Sequence, residues 1–218
     1  MKAKFFIPIL SIFLVIAIAC EKTDKTLDAI KDGKATVGDT VRIYQNDTVV
    51  FPSSNFSLYL SKVEDSRCPI GVECVWEGNA RAELSYNDAQ CALEFDLNTV
   101  FIRAKIVKNV LISLVDVKPY PDIHETLPVE NTNVILVVSN VPDSLLKGTV
   151  KDYTGMDGCG YVIELDNGSK LEPVKVDNTF TFADKQRVAL SYKELKDLAS
   201  ICMVGKMAEI TSIYEIVE

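Results

Sequence analysis

The stretch at residues 56–63, FSLYLSKV, places Phe56, Leu58 and Leu60 on one face and Ser57, Tyr59 and Ser61 on the other. That period of two is the signature of a β-strand with one buried and one solvated face. Its neighbours behave alike. TVRIYQ (40–45), ARAELSY (80–86), CALEFDL (91–97), AKIVKNVLISLVDV (104–117) and NVILVVS (133–139) alternate or run apolar over strand lengths, with Asn, Asp, Gly or Pro between them. Few segments carry helical spacing long enough to compete. The expectation is an all-β chain whose first folded module, residues 36–139, is an antiparallel β-sandwich or barrel.

The run SNVPDSLLKG (139–148) concentrates turn residues, so residues 140–147 are expected to link this module to a second one over 148–218. There GTVKDY, CGYVIEL, KLEPVKV, RVALSY and MAEITSIYEIV give five strand candidates, and KELKDLAS (193–200) reads as one short helix. Asp166-Asn167-Gly168-Ser169 marks a tight hairpin, because Asn-Gly readily takes positive φ. Five strands and one helix suit a small OB-like β-barrel, a fold that carries many functions and so leaves function open.

The N-terminus supplies an address. Lys2 and Lys4 precede an apolar run from Phe5 to Ile18, the layout of a secretory signal. The run is shorter than the ~20 residues that comfortably span a bilayer. Its end, AIAC (17–20), resembles the lipobox of bacterial lipoproteins, in which a small residue precedes a cysteine that is acylated and becomes the new N-terminus. Ala19 fits that pattern, whereas Ala17 and Ile18 depart from its commonest residues. The resemblance implies a signal peptide over 1–19 and a lipidated Cys20 that holds the protein on a membrane, at about 0.8 kcal/mol per buried CH₂. Residues 20–35, largely polar and charged, then read as a flexible tether. Removing Lys2 and Lys4 with the leader changes the net charge from −8 to 21 − 31 = −10. An acidic chain without a basic cluster repels phosphate backbones, so nucleic acid is not an expected partner.

Apart from Cys20 the chain has Cys68, Cys74, Cys91, Cys159 and Cys202. In an exported protein pairing is the default. Pro69 and Gly71 lie between Cys68 and Cys74 and favour a turn that joins them, with Cys74 to Cys91 as the alternative. Cys159 and Cys202, at the first hairpin and before the last strand of the second module, are expected to tie the ends of that small core. In the chain-entropy model such a bridge contributes on the order of 4 kcal/mol. Cys91 opens an apolar strand and is expected to behave as a small buried hydrophobe.

Other cysteine chemistry fits poorly. Zinc wants four convergent Cys or His ligands in short paired spacings, and the chain has one histidine and a five-residue gap between Cys68 and Cys74. Redox motifs use a two-residue gap opening a helix. His124 is the one imidazole that could activate a nucleophile, and it sits in the Pro-rich PYPDIHE (119–125), where an exposed surface histidine is expected. No nucleophile elbow, phosphate loop or zinc-protease helix is present. A carboxylate pair of glycosidase type stays open in so acidic a chain. No cofactor or metal is expected.

Trp76, the one tryptophan, follows the Cys68–Cys74 loop and leads into ARAELSY. It is expected to cover the module's end and pack on the cystine; the alternative makes Trp76 and Glu77 a binding surface. Asp39-Thr40-Val41, Asp47-Thr48-Val49 and Asp143-Ser144-Leu145 resemble the Asp-Ser/Thr-aliphatic O-glycosylation sequon of exported Bacteroidetes proteins, with Thr48 and Ser144 the expected acceptors. EDSRCPIGVECVWEGNARAEL (64–84), with VDVKPYP (115–121), resembles a class of small Bacteroidetes lipoproteins marked by a Ser-Arg-Cys-Pro…Cys-x-Trp-x-Gly loop and a later Pro-Tyr-Pro. DGCGYVIEL (157–165) with ASICMVG (199–205) is similar to a second module of such proteins. The resemblance implies a two-module secreted lipoprotein and no particular activity.

The expectation is therefore a protein lipid-anchored in the cell envelope, on the periplasmic or surface side of the outer membrane, that binds or scaffolds an envelope protein or glycan without catalysis. One rival is a protease or hydrolase inhibitor presenting the Cys68–Cys74 loop. The other is a carbohydrate-binding or carbohydrate-active protein.

Overall fold

A computed structural model describes residues 33–124, 128, 131–156, 158–176 and 180–218. The expected signal peptide, Cys20 and residues 20–32 of the tether lie outside them. The first eight strands are β1 (Thr40–Tyr44), β2 (Thr48–Phe51), β3 (Phe56–Asp65), β4 (Ala80–Asp88), β5 (Ala92–Asn98), β6 (Ala104–Val107), β7 (Val110–Lys118) and β8 (Asn133–Asn140). One antiparallel sheet runs β2-β3-β4-β5, and a second begins β1-β8-β7-β6. Their inner faces share one core, to which Ile43, Leu58, Leu84, Leu97, Ile112 and Leu136 contribute. The result is a sandwich. The alternation of FSLYLSKV is visible in it directly, since Phe56, Leu58 and Leu60 are buried. Phe56 also stacks between Phe51 and Tyr86, with ring centroids 4.4 and 4.9 Å away.

The second module holds β9 (Leu146–Asp152), β10 (Tyr161–Leu165), β11 (Lys170–Lys175), β12 (Arg187–Glu194) and β13 (Lys206–Val217). They run in the order β9-β10-β11-β13-β12, and β12 pairs back on β9. Only β11 and β13 are parallel in this ring, which makes it a closed five-stranded barrel of OB type. Val150, Ile163, Leu165, Leu171, Val188 and Leu190 fill it. The expected Asn-Gly hairpin is present in its three-residue form. Gly168 N–H donates to Leu165 C=O at 2.9 Å, and Gly168 alone takes the left-handed φ, +86°, the type I turn plus G1 bulge geometry.

The expected helix at 193–200 is absent. Lys193 and Glu194 finish β12, and residues 195–200 are turn and irregular chain. Tertiary contacts outweigh a weak local tendency here, because eight residues are too few for a stable helix alone. Leu195 N–H donates to Met207 C=O, prolonging the β12–β13 ladder. The Glu172 carboxylate collects the Ser200 hydroxyl and the N–H groups of Val204 and Gly205. Burial pushes the Glu172 carboxyl up, and these donors outweigh it and hold it below the usual range.

β13 joins the two modules. Its last residues, Glu215 to Val217, pair in parallel with Lys105 to Val107 of β6, so the second sheet of the sandwich continues into the barrel. Ile106, Leu111, Ala189 and Ile216 pack at this seam. Beside them Lys105, 7% exposed, reaches Asp96 at 3.1 Å and Glu215 at 3.0 Å, bridging both sheets of the sandwich and the barrel. Burial raises the Asp96 carboxyl, and Lys105 and Arg81 more than reverse this, leaving its pKa below the ordinary value. Lys105→Ala leaves the Glu215 carboxylate without its partner and Asp96 with Arg81 alone, and should cost roughly 2 kcal/mol in urea unfolding. A group with a lowered folded pKa stabilises above its ordinary pKa, so the deficit should narrow as the pH falls below about 4. An unchanged urea midpoint at pH 7 contradicts the bridge.

Candidate functional site: a stapled loop at the end of the sandwich

β3 and β4 do not turn directly into one another. Their pairing extends past Asp65 and Ala80 into a short stem, in which Ser66 N–H donates to Asn79 C=O and Cys68 N–H to Glu77 C=O, both at 2.8 Å. Gly78 makes the stem possible. Its φ is +69°, and a Cβ there would stand 1.9 Å from the Ser66 carbonyl oxygen. Beyond the stem Cys68 and Cys74 are bonded, with Cα atoms 5.9 Å apart. The staple leaves residues 69–73 in one closed turn and Val75-Trp76 on the return limb.

Arg67 fixes the base of this loop. It is 8% exposed. Its Nε and Nη2 take both oxygens of Asp65 at 2.9 and 2.5 Å, and Nη2 also donates to Pro119 C=O at 3.0 Å. Nη1 lies 3.7 Å from Asp116, and the guanidinium stands 4.5 Å from the centre of the Tyr120 ring. A buried guanidinium needs this number of partners, since an unpaired charge there costs several kcal/mol. Burial raises the Asp116 carboxyl, while Lys118, the Val117 N–H and Arg67 lower it further than burial lifts it. The quoted SRCP and PYP segments thus meet through one side chain. Nearer the tip Ile70 N–H donates to Pro121 C=O at 2.9 Å, and Ile123 N–H to Ile70 C=O at 3.3 Å.

Trp76 is not packed on the cystine: it is 82% exposed, and Val75 is 91% exposed. The expectation of packing fails: the return limb is held through its backbone, by the Cys68 N–H on Glu77 C=O, and through the disulfide, while the indole itself faces solvent. Glu77 is exposed beside Trp76, as are Ile70, Val72 and Ile123. Isolated exposed hydrophobes are ordinary, but a cluster on a braced loop is the mark of a contact surface. Arg67, Tyr120 and Val75 had no individual signal in the sequence; the co-occurrence of the two segments was the only pointer.

The other expected positions are dispersed. Cys159 and Cys202 are bonded across 43 residues. Cys91 is free and half-buried in the β4–β5 turn, where its N–H donates to Asp88. His124 is exposed, its backbone N–H on the Asp122 carboxylate. Thr48 and Ser144 are both exposed, Thr48 as the first residue of β2 and Ser144 in the segment between β8 and β9. Among the described residues no group of three or more His, Cys, Asp or Glu could hold a metal ion. Comparison of the chain with protein-family models, curated proteins and solved structures finds no match.

Arg67→Ala should destabilise the sandwich by about 3 kcal/mol, by taking the guanidinium from the Asp65 carboxylate and the Pro119 carbonyl, while Asp116 keeps Lys118. It should also open the loop to proteolysis between residues 68 and 79. Arg67→Lys should recover little, because an ammonium can neither grip Asp65 with two parallel bonds nor stack on Tyr120. Wild-type stability and protease resistance in Arg67→Ala contradict the assignment.

Proposed function

We propose that the protein is a lipid-anchored envelope protein, held through Cys20, that recognises an envelope partner with its stapled loop. The observation that carries this reading is Val75-Trp76, the most exposed apolar pair on the loop, held on a stiff base without any packing role. Large rigid aromatics at the centre of contact surfaces supply a disproportionate share of binding energy. Two closed disulfides support an oxidising compartment.

The position of the loop suits such a role. The described chain starts beside β2, with Val50 N–H donating to Gly33 C=O, and Val50 is opposite Ser57. From Ser57 to Asp65, where the loop begins, is 65 − 57 = 8 residues along β3, about 26 Å at ~3.3 Å per residue. A tether from Cys20 to Gly33 spans 33 − 20 = 13 residues and reaches at most about 45 Å. The loop then stands at the pole away from the tether's attachment, and the tether is long enough to leave it accessible.

The loop's exposure and stiffness also favour the inhibitor reading. Against it, both backbone groups of Ile70 are engaged by residues 121 and 123, so Ile70 is not free to pair with a protease strand.

Affinity capture from the protein's own envelope tests the proposal. The doubly substituted Val75→Ser/Trp76→Ala chain should keep wild-type unfolding behaviour and lose a partner that the wild type retains. An identical captured set contradicts the loop's role, and loss of a glycan instead of a protein replaces it with the carbohydrate reading. Cys20→Ser should move the protein from the membrane to the soluble fraction; continued membrane association contradicts the anchor.

A further inference from the structure

The seam between the modules holds a cleft apart from the stapled loop, at the edge of the barrel core to which Phe180, Ile210 and Ile213 also belong. It is lined by residues 99–104, which cross from β5 to β6, by residues 210–215 of β13, and by Phe180, Thr181 and Gln186. Its volume, about 540 Å³, falls within the roughly 300–1,000 Å³ of small-molecule sites, and module junctions are where such sites concentrate. Phe101, Phe180, Ile213 and Tyr214 give it apolar walls. Phe101 is 54% exposed, a large aromatic left on the rim with a cavity beside it.

The cleft also carries polar side chains, among them Arg103, Gln186, Thr211, Ser212 and Glu215. Arg103 donates through Nη2 to Val115 C=O at 3.0 Å, which steadies the guanidinium and leaves its other N–H groups available. Among the described residues no carboxylate forms an ion pair with it. Glu215, the acidic residue of the lining, is already 3.0 Å from the Lys105 ammonium. In a chain with a net charge of −8, an uncompensated cation in a concave, partly apolar setting is out of character.

β13 adds hydroxyls. Ser212 is opposite Ser191 and Ile210 is opposite Tyr192, so Thr211 has no partner across the ladder. This is a β-bulge, a device that re-aims a side chain and recurs beside binding sites. Ser191 Oγ fixes it, lying 2.7 Å from Thr211 Oγ1 and 2.6 Å from Ser212 Oγ. Thr211 and Ser212 both line the cleft.

We propose that this cleft binds a small amphipathic anion. The acid head group meets Arg103 with the Thr211 and Ser212 hydroxyls, and the apolar body lies between Phe101, Phe180, Ile213 and Tyr214. A ligand seated there touches the sandwich through residues 99–104 and the barrel through β13, so its binding also stabilises the junction. This site does not depend on the reading of the stapled loop, and either can fail alone.

The probe is 1-anilinonaphthalene-8-sulfonate, a fluorescent amphipathic anion, titrated into the full chain carrying Cys20→Ser with both disulfides oxidised. Saturable binding at one site is expected. Arg103→Gln, at an exposed position, should weaken it by about tenfold or more, the usual consequence of losing a charge-assisted bond. Phe101→Ser should weaken it as well, while Met203→Ser, on an exposed apolar surface outside the cleft, should leave it intact. Decanoate or 2-naphthoate should displace the probe, whichever does so at lower concentration naming an aliphatic or an aromatic body, and uncharged decanol should not. Unchanged binding in both Arg103→Gln and Phe101→Ser, or displacement by decanol as readily as by decanoate, overturns the proposal.

Discussion

A guanidinium taken out of water at the end of the sandwich constrains everything around it. Arg67 cannot stay buried unless Asp65, Asp116 and the Pro119 carbonyl all face it, and those groups come from β3, β7 and the segment after β7. Meeting that demand brings the 64–84 and 115–121 stretches together. Above Arg67 and Tyr120 the Cys68–Cys74 turn is closed by its own disulfide, and Trp76 faces solvent. The disulfide and the Ile70 backbone pairing then restrict the loop without covering it.

The same logic of shared elements governs the junction. A barrel that ended at its own closure would need β13 only as far as its pairing with β12. Here the strand runs on and adds to β6 in parallel, which merges two modules with separate cores into one continuous sheet. That extension places the Thr211 bulge opposite residues 99–104. It also draws Lys105 between Asp96 and Glu215, where a salt bridge in a partly desolvated seam holds the modules in register. The cleft exists because two small β domains share one strand.

How much of this was legible varies with the range of the interaction. Period-two alternation is local, so strand existence read well from FSLYLSKV onward. Strand count and spacing led to an OB-like barrel, and spacing also paired Cys159 with Cys202 and Cys68 with Cys74. The failures are long-range. KELKDLAS has helical composition, yet Met207, Glu172 and Cys159 set its conformation from elsewhere in the chain. Trp76 was expected to pack because it follows the disulfide loop and leads into ARAELSY, and the base of that loop is set by Arg67 partners about 50 residues away, as the Pro119 contact shows. The seam was invisible for the same reason: nothing in MAEITSIYEIV distinguishes a strand that closes a barrel from one that also crosses into the neighbouring module.

Trp76 is the sole tryptophan of the chain, so its fluorescence reports on the loop without labelling. Acrylamide quenching of the oxidised protein, together with emission wavelength and anisotropy, tests the central claim of an exposed aromatic on a stiff support. The expected result is red-shifted, freely quenched emission whose anisotropy follows the tumbling of the whole protein. Blue-shifted emission that resists acrylamide in the free protein would mean that Trp76 is packed and the loop only closes the domain, and it would contradict the account.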